Sequence, residues 1–154
     1  MRRHDKEIKD PEILEEILLK SEVCRLGLTD KGMAYIVPVN FAYTDGIIYF
    51  HSAPEGRKMR LLRENSQISF EMELSAEIVR DSVACNWTTK YRSLTGTATA
   101  SILTDTESKK RAIDLIMKKY GAAIDLHYVA KTFSRMVMVA LQIKSVTGKQ
   151  SGDW

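Results

Sequence analysis

The chain has 154 residues, 44% of them hydrophobic and 28% charged, with a net charge of +3. That length suits a single domain, 1–154, able to bury a core, and the composition is that of an ordinary soluble globular protein. The small charge is spread over mixed acids and bases with no basic run interleaved with aromatics, which speaks against nucleic acid as a partner. No apolar stretch approaches the length that spans a bilayer, so no membrane partner is expected either. The charged start Met1-Arg2-Arg3-His4-Asp5-Lys6-Glu7 leads into no apolar signal core, so a cytoplasmic location is expected. Cys24 and Cys85 form no CxxC pair, and His4, His51 and His127 are scattered; neither a metal centre nor a disulfide framework is indicated.

Asp10-Pro11-Glu12 opens a short helix, with Asp10 as cap, Pro11 at the first helical position, and Ile13, Leu14, Ile17 and Leu18 as its apolar stripe. Val23 to Thr29 alternates and predicts a strand that turns at Asp30-Lys31-Gly32. The run Met33 to Tyr43 is β-rich and apolar, interrupted at Pro38, whose missing N–H marks an edge, a bulge or a place where another group meets the backbone. Thr44-Asp45-Gly46 is a hairpin signal and Ile47 to His51 the returning strand. Arg57 to Glu64 predicts a helix closed by Asn65-Ser66, with Arg60 and Arg63 on its solvent side. Ser66 to Leu74 alternates as a half-buried strand. Ser75 to Lys90 has no clear period and holds Trp87, which either packs over one end of the core or stacks on a planar ligand. Tyr91 to Leu103 is the longest alternating run. Thr104-Asp105-Thr106-Glu107 fits a capping box opening a helix that Gly121 stops. Ala122 to Phe133 predicts a second short helix. Met136 to Lys144 is apolar at both parities, as in a central strand covered on both faces, and the tail from Val146 is polar.

This gives about six strands without βαβ alternation: a mainly β fold with flanking helices, in which antiparallel hairpins build a small closed or split barrel. The stretch Phe50 to Arg63 runs from a strand through a Gly-containing loop into a helix. It directs backbone N–H groups, the Ser52 hydroxyl, His51 and the pair Arg57-Lys58 at one small volume. That suits a phosphate, and equally a solvated strand-to-helix connection. Serine-hydrolase, metalloprotease, Walker A and dinucleotide-binding motifs are absent, so any enzymatic chemistry would rest on a bound cofactor.

Tyr35-Ile36-Val37-Pro38-Val39-Asn40-Phe41, then Asp45 through Ala53 and Glu55-Gly56-Arg57-Lys58, resembles the pyridoxamine 5′-phosphate oxidase-like superfamily, in particular its nitroimidazole-resistance (Nim-like) flavoprotein branch. Ala84 through Gly96 and Ile143 through Lys149 carry the likeness over nearly the whole chain. The resemblance implies a six-stranded antiparallel split β-barrel that binds FMN, assembled as a homodimer with flavin between subunits. It implies that Val37, Pro38, Val39 and Asn40 run beside the isoalloxazine ring. It implies that His51, Ser52, Gly56, Arg57 and Lys58 form the phosphate and ribityl segment, that Tyr91, Arg92 and Ser93 approach from the partner chain, and that Trp87 closes over the ring. His51 is the candidate general acid. The implied activity is an FMN-dependent oxidoreductase passing electrons from NADH or NADPH to a nitroaromatic, a quinone or a similar small acceptor. The alternatives are a haem-binding protein with His51 or His127 as axial ligand, and a flavin carrier without turnover. The substrate-binding signature that closes the vitamin B6 enzyme's carboxy terminus is not recognisable here.

Overall fold

Apolar–polar alternation dominates the chain, and the structure, a computed structural model describing residues 3–123, 126–152 and 154, turns it into one antiparallel sheet with helices against it. Met1, Arg2, Ile124, Asp125 and Asp153 lie outside the described residues, among them two positions of the helix expected over Ala122 to Phe133. The elements are β1 (Glu7–Ile8), α1 (Pro11–Lys20), β2 (Cys24–Asp30), β3 (Met33–Val39), β4 (Phe41–Thr44), β5 (Ile47–Ser52), α2 (Arg57–Glu64), β6 (Gln67–Val79), β7 (Thr88–Leu103), α3 (Thr106–Lys119), α4 (Ala130–Arg135) and β8 (Val137–Ser151).

Local chemistry explains the helix ends. Asp10 accepts from the Glu12 N–H at 2.9 Å and Pro11 occupies the first turn of α1, as its sequence predicts. For α3 the cap is Asp105 rather than Thr104: its carboxylate accepts from the Ser108 N–H at 2.8 Å. A carboxylate at that position also meets the positive end of the helix, which a hydroxyl cannot do as well. Gly121, at φ 85°, follows the last turn of α3.

The strand order is β3-β2-β6-β7-β8-β5-β4, with β1 paired to the far end of β8. Eight strands among the described residues replace the six read from the sequence, for two reasons. The run Met33 to Tyr43 is two strands, broken at Asn40 and not at Pro38, because Pro38 sits in an edge strand whose outer side needs no ladder. The two-residue strand β1 is too short to show a period. The polar tail also belongs to the sheet. Its hydroxyls make cross-strand pairs, Thr97 with Ser145 at 2.8 Å and Thr95 with Thr147 at 3.2 Å, while Gly148 packs under Leu14 and Ile8.

The sheet does not close. β3 and β4 are its two ends, yet only Asn40 separates them in sequence, so the sheet curls until its edges meet at a seam joined by covalent chain. The Tyr120 hydroxyl, at the end of α3, spans this seam. It accepts from the Phe41 N–H at 3.2 Å and donates to the Glu22 carbonyl just before β2. Inside the curl lie Leu26, Phe41, Ile48, Phe50, Met72, Leu94 and Leu141, with Ile17 and Leu18 of α1 and Met59 and Leu62 of α2 packed into them. Full burial of each such side chain contributes about 1.5–3 kcal/mol. Outside, Ala112, Ile113 and Ile116 of α3 cover Ala42 and Met138. The parity of β8 is thereby explained: Val139 and Leu141 face inward and Met138 faces α3. No helix of the described residues is long and apolar enough to cross a membrane.

Two positions yield stability predictions. A Cβ at Gly96 would lie 2.5 Å from Phe70 Cζ and 2.6 Å from the Ser145 carbonyl oxygen. Gly96→Ala is expected to destabilise the fold by about 2 kcal/mol, lowering Tm by about 4–8 °C in a thermal melt. Lys119 holds its buried ammonium 3.3 Å from the centre of the Phe41 ring with no hydrogen-bond partner among the described residues, and burial lowers its pKa to about 8. Folded-state protonation is therefore disfavoured relative to the unfolded chain, so this penalty is full below pH 8 and fades as pH rises above it. Lys119→Met should raise Tm at pH 7, with the gap to the parent narrowing between pH 7 and pH 10.

Candidate functional site

The Asp45-Gly46 turn, with φ of 49° and 77°, feeds β4 back into β5 as a tight hairpin. β5 then runs beside β8, His51 opposite Met138 and Ser52 opposite Val137, before the chain leaves the sheet. Gly56, at φ 111°, swings it into α2, a conformation that a side chain would strain. No side chain caps this helix, so its first-turn N–H groups lack a side-chain acceptor. Ser52 is buried, and its hydroxyl makes no hydrogen bond among the described residues. Lys58 is half-buried, forms no ion pair among the described residues, and holds its ammonium 5.2 Å from the centre of the Phe50 ring. Burial alone pulls the Lys58 pKa down, and His51 is held below its ordinary value by burial first and the Lys58 charge second. Unsatisfied N–H donors, a free hydroxyl and an unpaired ammonium give this end of β5 the chemistry that suits an anion, and it is called the cradle below.

The arginines of α2 are already engaged. Arg57 Nε donates to Asp30 Oδ2 at 2.6 Å, and its guanidinium lies 4.4 Å from the centre of the Tyr35 ring. Arg60, expected only at the surface, donates to both Asp30 oxygens at 3.0 and 3.1 Å and also pairs with Glu64. These two bonds, Arg60 ahead of Arg57, hold the Asp30 carboxyl below its usual range. Arg63 pins the loop by donating to the Pro54 carbonyl at 2.8 Å. Asp30 and Tyr35 thus belong to the site although nothing local marks them: in sequence Asp30 reads as a turn residue, and its partners lie 27 and 30 positions away.

The β3 segment reaches the same end of the sheet. Phe41 pairs with Phe50, so Asn40 lies level with His51. Val39 is buried, Val37 half-buried, and Pro38 and Asn40 exposed beside the open edge.

The other expected residues are elsewhere. Tyr91 pairs with Ser151 at one end of β8 and Ser52 with Val137 at the other, a separation of 14 residues (151 minus 137). At about 3.3 Å per residue this is roughly 45 Å along the strand, so the two groups do not converge within one chain. Arg92 is committed to its own chain: it donates to Glu16 at 2.9 Å and Gln150 at 3.2 Å and stacks 4.3 Å from the centre of the Trp154 ring. Ser93 lies half-buried between Glu73 and Lys149. Beyond Met72, β6 pairs with β7 alone, and beyond Ala76 and Tyr91, where β8 ends, the two form a short two-stranded ribbon; Ile78, Val79, Val83 and Trp87 are exposed there. Asp81 organises its tip, accepting from the Val83 N–H at 2.7 Å, while the Trp87 indole donates to the Asp81 carbonyl at 2.7 Å.

Two cavities accompany these features. One of about 600 Å³ lies between α3 and the segment before α4, with Lys110, Asp114, Lys118 and His127 in its wall. The other, about 470 Å³, is a groove on the part of the sheet's outer face that α3 leaves uncovered, along Arg25, Gly27, Ile36, Ser69, Thr95 and Thr97. Neither is lined by the expected cofactor residues. The described residues contain no group of three or more His, Cys, Asp or Glu placed to hold a metal ion.

Residues 10–150 match the family described as pyridoxamine 5′-phosphate oxidase. Among solved structures, a candidate 5-nitroimidazole antibiotic resistance protein from Bacteroides thetaiotaomicron is similar at 28% identity and a TM-score of 0.83, over 93% of this chain and 85% of that one. A flavocytochrome from Azotobacter vinelandii aligns at 22% identity and a TM-score of 0.85, over 99% of this chain and 72% of that one. An FAD and haem binding protein from Mycobacterium smegmatis aligns at 19% identity and a TM-score of 0.85, over 97% of this chain and 75% of that one. No curated protein matches the sequence. The fold is the split barrel that the sequence resemblance implies, with an open sheet and more strands than expected.

The coupling inside the cradle can be measured. Removing the ammonium with Lys58→Met should raise the His51 pKa in an NMR titration of the imidazole, because one of its two depressing influences is gone. An unmoved His51 titration would leave burial as the whole cause.

Proposed function

The chain belongs to the pyridoxamine 5′-phosphate oxidase family, and on that premise we propose that it is a cytoplasmic FMN-binding flavoprotein, an oxidoreductase for nitroaromatic, quinone or similar small acceptors. The observation that carries this reading is the uncapped start of α2 beside a free Ser52 hydroxyl and an unpaired, half-buried Lys58. These groups fit a phosphate monoester: neutral donors converge on the oxygens and one compact charge stands close by. A bound flavin supplies two-electron redox chemistry, with NADH or NADPH as the donor.

The chain's own residues have separate tasks in this reading. Ser52 and the N–H groups at the start of α2 donate to the phosphate, Lys58 neutralises it, and the terminal nitrogens of Arg57 fork its remaining oxygens. Val37, Pro38, Val39 and Asn40 offer an open strand edge to the ring. His51, held below its ordinary pKa and so chiefly neutral at pH 7, takes up or relays a proton at its imidazole nitrogen. Trp87, Tyr91, Arg92 and Ser93 reach a cradle only if it belongs to a second copy, which favours a homodimer with two composite sites. The part of the sheet's outer face that α3 leaves uncovered supports such an association.

A second reading is haem binding, favoured by the names of two structural neighbours and by an exposed histidine at the cradle. The visible spectrum separates the two. Purified protein is expected to be yellow, and the double variant Arg57→Ala with Lys58→Ala to be colourless. Stoichiometric FMN retained by that variant would remove the site assignment. A Soret band on haem reconstitution that His51→Ala or His127→Ala abolishes would favour haem. Consumption of NADH or NADPH with a nitroaromatic distinguishes an oxidoreductase from a flavin carrier.

A further inference from the structure

The β2–β3 hairpin meets α2 through one largely covered carboxylate. Asp30 has only 11% of its side chain exposed, whereas Arg57 and Arg60, which cover it, are 50% and 46% exposed. The nitrogen that Arg57 gives to Asp30 is Nε, the one nearest the chain. Its two terminal nitrogens make no hydrogen bond among the described residues. A contact at Nε fixes the direction of the guanidinium fork, and the Tyr35 ring, 4.4 Å away, fixes the face of its plane. Arg60 takes both Asp30 oxygens and so holds the carboxylate in place. Asp30 and Tyr35 come from the β2–β3 hairpin, whereas the arginines they hold come from α2.

We propose that Asp30 and Tyr35 are positioning residues that hold the Arg57 fork for a phosphate monoester at the start of α2. The proposal rests on the flavin-phosphate reading above. A free arginine at a half-exposed position samples many rotamers and its charge is screened by water, so its value to an anion depends on being held in place. Removing Asp30 also deletes a negative charge near the phosphate, but with the arginines half-exposed the screened charge is worth less than the lost alignment. Tyr35 separates the two effects, since its replacement leaves the charge unchanged.

The experiment measures dissociation constants for FMN and for riboflavin, which differ only in the phosphate, on the full chain. The parent is expected to bind FMN at least about tenfold more tightly. Asp30→Asn and Tyr35→Leu should each reduce that preference about fivefold while riboflavin affinity holds, which also reports an intact fold; Tyr35→Phe should keep the preference. A preference in either Asp30→Asn or Tyr35→Leu that matches or exceeds the parent's overturns the positioning role. A parent that binds FMN and riboflavin equally would instead overturn the flavin-phosphate reading itself.

Discussion

The structure depends on how its sheet ends. Closing a barrel by hydrogen bonds would join β3 to β4 along a ladder; here the two are unpaired and are joined by Asn40 alone. The curl is then held by packing on Phe41, by α3 against the outer surface, and by the Tyr120 hydroxyl bridging Phe41 and Glu22. A sheet that ends this way keeps open strand edges, that of β3 among them. In this chain that edge ends level with His51, beside an uncapped helix N-terminus. The seam and the cradle are one geometric fact seen from two sides.

Much of this was legible in the residues. Asp10-Pro11 announced α1, Asp45-Gly46 announced the β4–β5 hairpin, and Gly56 announced the start of α2, because each signal acts through its immediate backbone. What escaped were features set by distant partners. Asn40 as the break, and the strand hidden in the polar tail, depend on which strands lie alongside. The engagement of Arg57 and Arg60 by Asp30 depends on packing a hairpin against a helix. Lys119 over Phe41 follows from where α3 stops, a tertiary matter that the basic run around it concealed.

The candidate residues divide according to β8. At one end it carries the strand that delivers His51 and Ser52; at the other, the strand that carries Tyr91, Arg92 and Ser93. A long central strand is therefore a spacer as well as a scaffold. It lets a single chain present two unlike surfaces, one with Ser52, Lys58 and the start of α2, the other a ribbon that exposes Ile78, Val79 and Trp87.

The β6–β7 ribbon has a thermodynamic consequence. Beyond Ala76 and Tyr91 two strands run without a third, with apolar side chains in water, and form a unit that opens at far lower free energy than the barrel. Its amides should exchange with solvent long before those of Met72 or Leu94, leaving the molecule with a cooperative core and a separately melting arm. Any surface that settles on Ile78, Val79 and Trp87 must order that arm as it binds, so part of the contact energy is spent on ordering and affinity becomes tied to the arm's own stability.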